Sequence, residues 1–234
     1  MILYEGPSNI DGAPIVAVIT GLNKNSKNLK TGAMPQVWII RSDIHPMEAL
    51  KSGADSSICG DCIHRPKTLG VDANKKSNRS CYVNMMPVNN VYKTYKKGKY
   101  APADLATLAL SLKDVNVRIG AYGDPAAVPI EVWDTLLEHC NSTGYTHQWK
   151  VCDKNYAKYC MASCDTPIDV LISTSMGYRT FFVQTETYTN KVEGIKLAHC
   201  PASKEMGKKT TCNACMACNG TRFNLKSNVS IMIH

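Results

Sequence analysis

From residue 102 onward, helix-like and strand-like stretches alternate along the chain, and this alternation limits its architecture more than any other feature. Residues 102–113 have helical composition, and residues 115–122 form an apolar strand pattern closed by Gly123-Asp124-Pro125. Pro129 then opens a helix in which Val132, Trp133, Leu136, Leu137 and Cys140 recur at helical spacing until Gly144 stops it. Strand patterns follow at 145–151 and 159–163. Thr166-Pro167 caps a helix over 168–176, with Gly177 placed as its terminating glycine. Further strands are predicted at 180–184, 195–199 and 229–233. Strand, helix, strand repeated in this way implies parallel pairing through right-handed crossovers. The expected fold is therefore α/β, as a partial parallel (β/α) barrel or an open parallel sheet.

The first hundred residues read differently. A β-branched run at 14–20, a basic loop at 23–30 and a second strand at 36–41 lead into a loop-rich stretch, 43–98, that carries Cys59, Cys62 and Cys81. The expected organisation is a loop-rich region over 1–100 followed by an α/β unit over 101–234, or one integrated domain. In α/β folds the functional face lies at the carboxyl ends of the strands. The residues just past the predicted strands are Asp124, Cys164 with Asp165, Glu186 and Cys200, so Asp124, Asp165 and Glu186 are the catalytic candidates, expected on one rim.

A chain of 234 residues buries enough surface to fold without covalent staples, so its 11 cysteines need another explanation. No apolar run approaches the length of a membrane span, and the first twenty residues do not read as a signal peptide. An odd number of thiols in such a chain argues for reduced cysteines that bind metal in a cytoplasmic setting.

The sharpest pattern is Cys200-Pro201 followed by Cys212-x2-Cys215-x2-Cys218. Three cysteines two residues apart wrap a loop around successive corners of a cubane, and a remote Cys-Pro closes the coordination. The run resembles the bacterial ferredoxin motif, with Arg222 where that motif has its fourth cysteine and Cys200 taking the closing role. The expected cofactor is a [4Fe-4S] cluster. Zinc is the competing ion, although structural zinc sites use two separated C-x2-C pairs. Cys59-x2-Cys62, with His64 and Cys81, supplies ligands for a second site that suits either zinc or a further Fe-S cluster. Cys160-x3-Cys164 has a radical-enzyme spacing but lacks a third cysteine, because position 167 is Pro167; Cys140 falls on an apolar helix stripe.

The six histidines form neither His-x-His nor H-E-x-x-H, and no glycine-rich phosphate loop occurs, which argues against nucleotide hydrolysis. The formal charge of +8 concentrates partly in residues 92–100, where Lys93, Lys96, Lys97 and Lys99 interleave with Tyr92, Tyr95 and Tyr100. Lysines so placed could follow a phosphate backbone while rings stack on bases, making nucleic acid a candidate partner. The same pattern also fits a solvated helix with a basic last turn.

Lys30-Thr31-Gly32, residues 38–43, residues 53–62, Cys81-Tyr82-Val83-Asn84, Tyr122-Gly123-Asp124-Pro125, residues 144–149 and the closing cysteine run together resemble a family of tailed-phage proteins, over nearly the whole chain. Members are sometimes labelled rolling-circle replication proteins, although the His-x-His of such nickases is missing here. From Val115 onward the pattern also resembles a radical S-adenosylmethionine partial barrel without its C-x3-C-x2-C loop. The resemblance implies a phage-encoded protein acting in the cytoplasm of a bacterial host. It does not fix an activity; the residues themselves point to a redox or structural iron–sulfur protein, with a redox partner in the first case; a cluster-dependent, radical-type enzyme; or a nucleic-acid-binding replication factor with a structural metal, zinc or Fe-S.

Overall fold

The structure, a computed structural model, describes residues 1–23, 29–185, 188–222 and 227–233. Its first sheet has the order β1 (Ile2–Pro7), β2 (Pro14–Thr20), β3 (Gln36–Arg41), β4 (Asn116–Tyr122), β5 (Asn141–Thr143). The second has the order β6 (Tyr145–Thr146), β7 (Met161–Cys164), β8 (Thr180–Gln184), β11 (Asn228–Met232), β10 (Ile195–His199), β9 (Lys191–Val192). Three antiparallel strands open the chain; every pairing from β3 to β5 and from β6 to β10 is parallel, and β9 is an antiparallel edge. This is the α/β class expected from the alternation.

Gly144 alone separates the two sheets. Its amide donates to the Cys218 carbonyl at 3.2 Å, and its carbonyl accepts from Met161 at 3.0 Å. A Cβ at this position would lie 2.6 Å from Ile119 Cγ1, so only glycine lets the chain step from one sheet to the next. Residues of β4, β6, β7, β8 and β11 line a common cavity, so both sheets contribute to it.

The helices are α1 (Pro46–Ser52), α2 (Ser56–Cys59), α3 (Met85–Lys96), α4 (Leu105–Ser111), α5 (Ile130–Leu136), α6 (Pro167–Ser175) and α7 (Cys212–Cys215). In β2, Ile15, Val16, Ala17, Val18 and Ile19 are all buried, the continuous apolar run of a strand covered on both faces. One cluster of buried side chains extends from Leu3 through Trp133 to Cys160, and β3 pairs with β4. Sheet and core therefore continue across residue 100, where the sequence suggested a boundary.

Several boundaries differ from expectation. The strand expected at 145–151 ends at Thr146, because Asp124 Oδ2 takes the His147 amide at 2.7 Å and Thr146 Oγ1 takes that of Gln148 at 2.9 Å; residues 148–150 then form a 3-10 turn. The helix expected over 102–113 begins only at Leu105, capped by Asp104. Strands β1, β5 and β9 carry no alternation strong enough to read in advance.

Helix α6 begins as the sequence indicated. Thr166 Oγ1 accepts the Asp169 amide at 3.2 Å while Asp169 Oδ2 accepts that of Thr166 at 3.1 Å, and Gly177 has φ +88°. Thr166→Ala is expected to lower stability by about 1 kcal/mol, a fall in Tm of roughly 2–4 °C. A thermal melt beside wild type checks this.

Candidate metal centres

The C-terminal cysteine loop is held by its backbone. The amides of Cys212 and Asn213 donate to the carbonyls of Lys30 and Thr31 at 2.8 and 3.0 Å, and Asn116 Nδ2 donates to the Asn213 carbonyl at 2.8 Å. Thr211 caps the single turn Cys212–Cys215, and Met216 takes a left-handed φ of 48° that turns the chain toward Cys218. On the other side Arg179 donates to the carbonyls of Ala217, Gly220 and Ser227 and to Asn219 Oδ1, at 2.5–3.1 Å. Cys200, Cys212, Cys215 and Cys218 consequently line one small apolar pocket with Lys30, Tyr145 and Phe181. Burial pushes the thiols of Cys200 and Cys212 up and that of Cys218 to about 12, with the neighbouring thiolates adding to each shift. A cation at the centre of this set relieves that mutual repulsion.

The second set forms around Arg65. Its guanidinium binds both carboxylate oxygens of the buried Asp55, at 2.7 and 2.9 Å, and the carbonyls of Gly53 and Gly60 at 2.8 and 2.9 Å. This fixes the loop from Cys59 to Cys62, and the Cys81 amide joins it through the His64 carbonyl at 3.0 Å. Gly60 has φ +59°, and a Cβ there would collide with the Gln148 side chain, so the C-G-D-C turn requires its glycine. Burial drives Cys59 well above the usual thiol range and Cys62 to about 12, with Cys81 adding to both shifts.

Cys59, Cys62 and Cys81 line a cavity of about 170 Å³ that also touches His64, Asp124, His147 and, farther along, Arg118, Tyr145 and Cys212. A space of this kind holds far more than one water, which needs about 10–15 Å³ in the same measure. Its walls are mainly apolar. Arg118 is buried in it and donates to the Tyr82 hydroxyl at 2.5 Å. Sequence reasoning passed over Arg65, Arg118 and Arg179, since isolated arginines carry no spacing signal.

The expected single rim is only partly found. Asp124 is buried after β4, where burial raises its pKa; its carboxylate accepts the amides of Ala126 and His147 at 2.9 and 2.7 Å. Asp165, after β7, meets His64 Nε2 at 3.0 Å, so the histidine expected to serve the cysteines is turned toward a carboxylate. These residues share the carboxyl-end rim with Cys59 and Cys62. Cys200 does not join them: His199 pairs with Ser230 in the middle of β11, so β10 stops short of the rim. Cys212 and Asn213 accordingly pack against the start of β4 and the segment before β3. The two cysteine sets thus stand toward opposite ends of the cavity. Glu186 lies outside the described residues. Cys160 and Cys164 are fully buried, and Cys164 Sγ contacts Ser173 Oγ at 3.3 Å.

In the basic segment, Tyr92 is buried against His45, and Tyr95 donates to Glu5 Oε1 at 2.5 Å. Lys93, Lys96, Lys97 and Lys99 are exposed. The two rings on α3 are engaged in packing, which is unlike the free stacking platform the sequence suggested.

Among the described residues no helix is long and apolar enough to cross a membrane. Comparison of the chain with protein-family models, curated proteins and solved structures finds no match.

Proposed function

We propose that this chain is an iron–sulfur protein that holds a [4Fe-4S] cluster on Cys200, Cys212, Cys215 and Cys218, with a second metal centre, iron–sulfur or zinc, on Cys59, Cys62 and Cys81. The observation that carries the reading is the convergence of the four C-terminal cysteines on one apolar pocket. When bound, such a cluster supplies one-electron chemistry or a structural cross-link. The protein's own contribution is the Arg179-braced loop, the apolar wall of Tyr145 and Phe181, and the positive charge of Arg118 beside Cys212. The phage resemblance and the eleven free thiols support action in a bacterial cytoplasm, with a redox partner if the cluster cycles.

Anaerobic purification with iron, sulfide and zinc analysis tests this directly. A brown protein with broad absorption near ~400 nm is expected, and Cys212→Ser, Cys215→Ser or Cys218→Ser should each bleach most of it. Stoichiometric zinc without sulfide, in protein made under iron-replete conditions, would overturn the reading.

A cluster-dependent enzyme is the second reading, favoured by one observation: the N-terminal set offers only three thiols and opens onto the cavity. Three protein ligands leave a coordination position free for a small molecule, and Asp124 and Asp165 stand on the same rim. Cleavage of S-adenosylmethionine by the reduced protein would distinguish this from a redox carrier.

Nucleic-acid contact, if present, falls to the four exposed lysines. Neutralising Lys93, Lys96, Lys97 and Lys99 should then flatten the slope of log affinity against log salt by several units. Tyr95→Ala should cost less than the ~1–3 kcal/mol of a stacked base, since its ring is packed. DNA binding at two salt concentrations measures both, and an unchanged slope would remove nucleic acid as a partner of this segment.

A further inference from the structure

On the carboxyl-end rim, His64, His147 and Asp165 form a group that neither cysteine set accounts for. It is the one set of three potential donors among the described residues whose ligand atoms all lie within 4.8 Å of one another. Three separate parts of the chain supply it. Asp165 is the first residue after β7, and His147 is the first after β6, with its amide fixed by Asp124 Oδ2 at 2.7 Å. His64 reaches in from the loop between Cys62 and Cys81. Its Nδ1 meets Ser80 Oγ at 2.7 Å, which leaves Nε2 directed at Asp165 Oδ1, 3.0 Å away. Orientation of an imidazole through its second nitrogen is what metal-binding histidines require.

The distances do not describe a closed hydrogen-bond network. His147 Nε2 stands 3.6 Å from Asp165 Oδ2 and 3.6 Å from Cys62 Sγ, while the side chains of His64, His147 and Asp165 are only 12%, 21% and 13% exposed. A nitrogen-to-oxygen separation of that size is too long for a good hydrogen bond. It suits two ligands of one ion: a tetrahedral metal about 2.0–2.1 Å from nitrogen and oxygen donors keeps them roughly 3.3 Å apart. The observed 3.0 and 3.6 Å bracket that value.

We propose that His64 Nε2, His147 Nε2 and the Asp165 carboxylate bind a single divalent transition-metal ion of the zinc class. The donor set of two imidazoles and one carboxylate suits zinc or ferrous iron and leaves a position open. Both histidines line the cavity, so that position faces it. A water, or an oxygen or nitrogen donor of a small molecule in the cavity, would complete the coordination. The site adjoins the N-terminal cysteine set, since His147 Nε2 lies 3.6 Å from Cys62 Sγ, but its three donors are nitrogen and oxygen and belong to neither cysteine set.

The test uses the full chain, purified anaerobically with its cysteine-held metals in place and then given one further equivalent of zinc. X-ray absorption at the zinc edge, taken as the difference before and after addition, should show nitrogen and oxygen neighbours at about 2.0–2.1 Å. Asp165→Asn and His147→Gln should each weaken binding of that equivalent by at least about tenfold, while sulfide content and visible absorption stay at the wild-type level. The retained chromophore and thermal melt certify that each variant is folded, and either variant alone suffices. A sulfur shell near 2.3 Å for the added zinc, no binding by wild type, or binding by both variants as tight as by wild type would overturn the proposal.

Discussion

Arg179→Met is expected to be the most damaging single substitution outside the metal ligands. The guanidinium, next to the start of β8, donates to Ala217, Asn219, Gly220 and Ser227, and so ties both ends of the segment that carries Cys218 to the sheet. Methionine has similar length and no donors, so the acceptors lose their partners in a partly dry site. The cost should be about 3–5 kcal/mol, with Tm lower by on the order of 10 °C. Metal at the C-terminal centre should fall with it, because Cys218 is positioned through Ala217 and Asn219. A variant that melts within about 2 °C of wild type and retains all its metal would show that the loop is braced by something else.

The second large effect concerns how metal divides between the two cysteine sets. Joint replacement of Cys59, Cys62 and Cys81 by serine should remove one centre and leave the other intact. The sets are separated along β4: Asn116, at its start, holds the loop of Cys212, whereas Asp124, just past its end, donates its amide to the carbonyl of Ile58 beside Cys59. The six steps of β4 itself, at about 3.3 Å each, put roughly 20 Å between its two ends. Metal analysis of the folded triple variant reads the outcome, and loss of all metal from a folded protein would mean a single shared site.

These expectations rest on unequal shares of sequence and structure. Helix α6 was legible in full, because Thr166, Pro167, Asp169 and Gly177 act within a few residues of one another through bonds that form whatever the rest of the chain does. The run Cys212-x2-Cys215-x2-Cys218 was legible for the same reason. One helical turn and a left-handed Met216 are enough to aim three thiols into one pocket. Strand β2 was legible because five consecutive buried apolar residues leave few alternatives. By contrast, residues 147–151 read as strand and are a turn, since the bond that breaks the strand comes from Asp124, more than twenty positions away.

The alternation after residue 102 determined the α/β class, and cysteine spacing determined which thiols belong together, both being properties of short stretches governed by local geometry. Only the tertiary structure decided where those groups stand. The stagger of β10 against β11 takes Cys200 off the rim, the step at Gly144 joins the two sheets around one cavity, and the loop after Cys62 carries His64 to His147 and Asp165. Each depends on residues far apart in the chain meeting with a particular register, and register is set by the packing of whole strands against one another, which no single stretch of sequence contains.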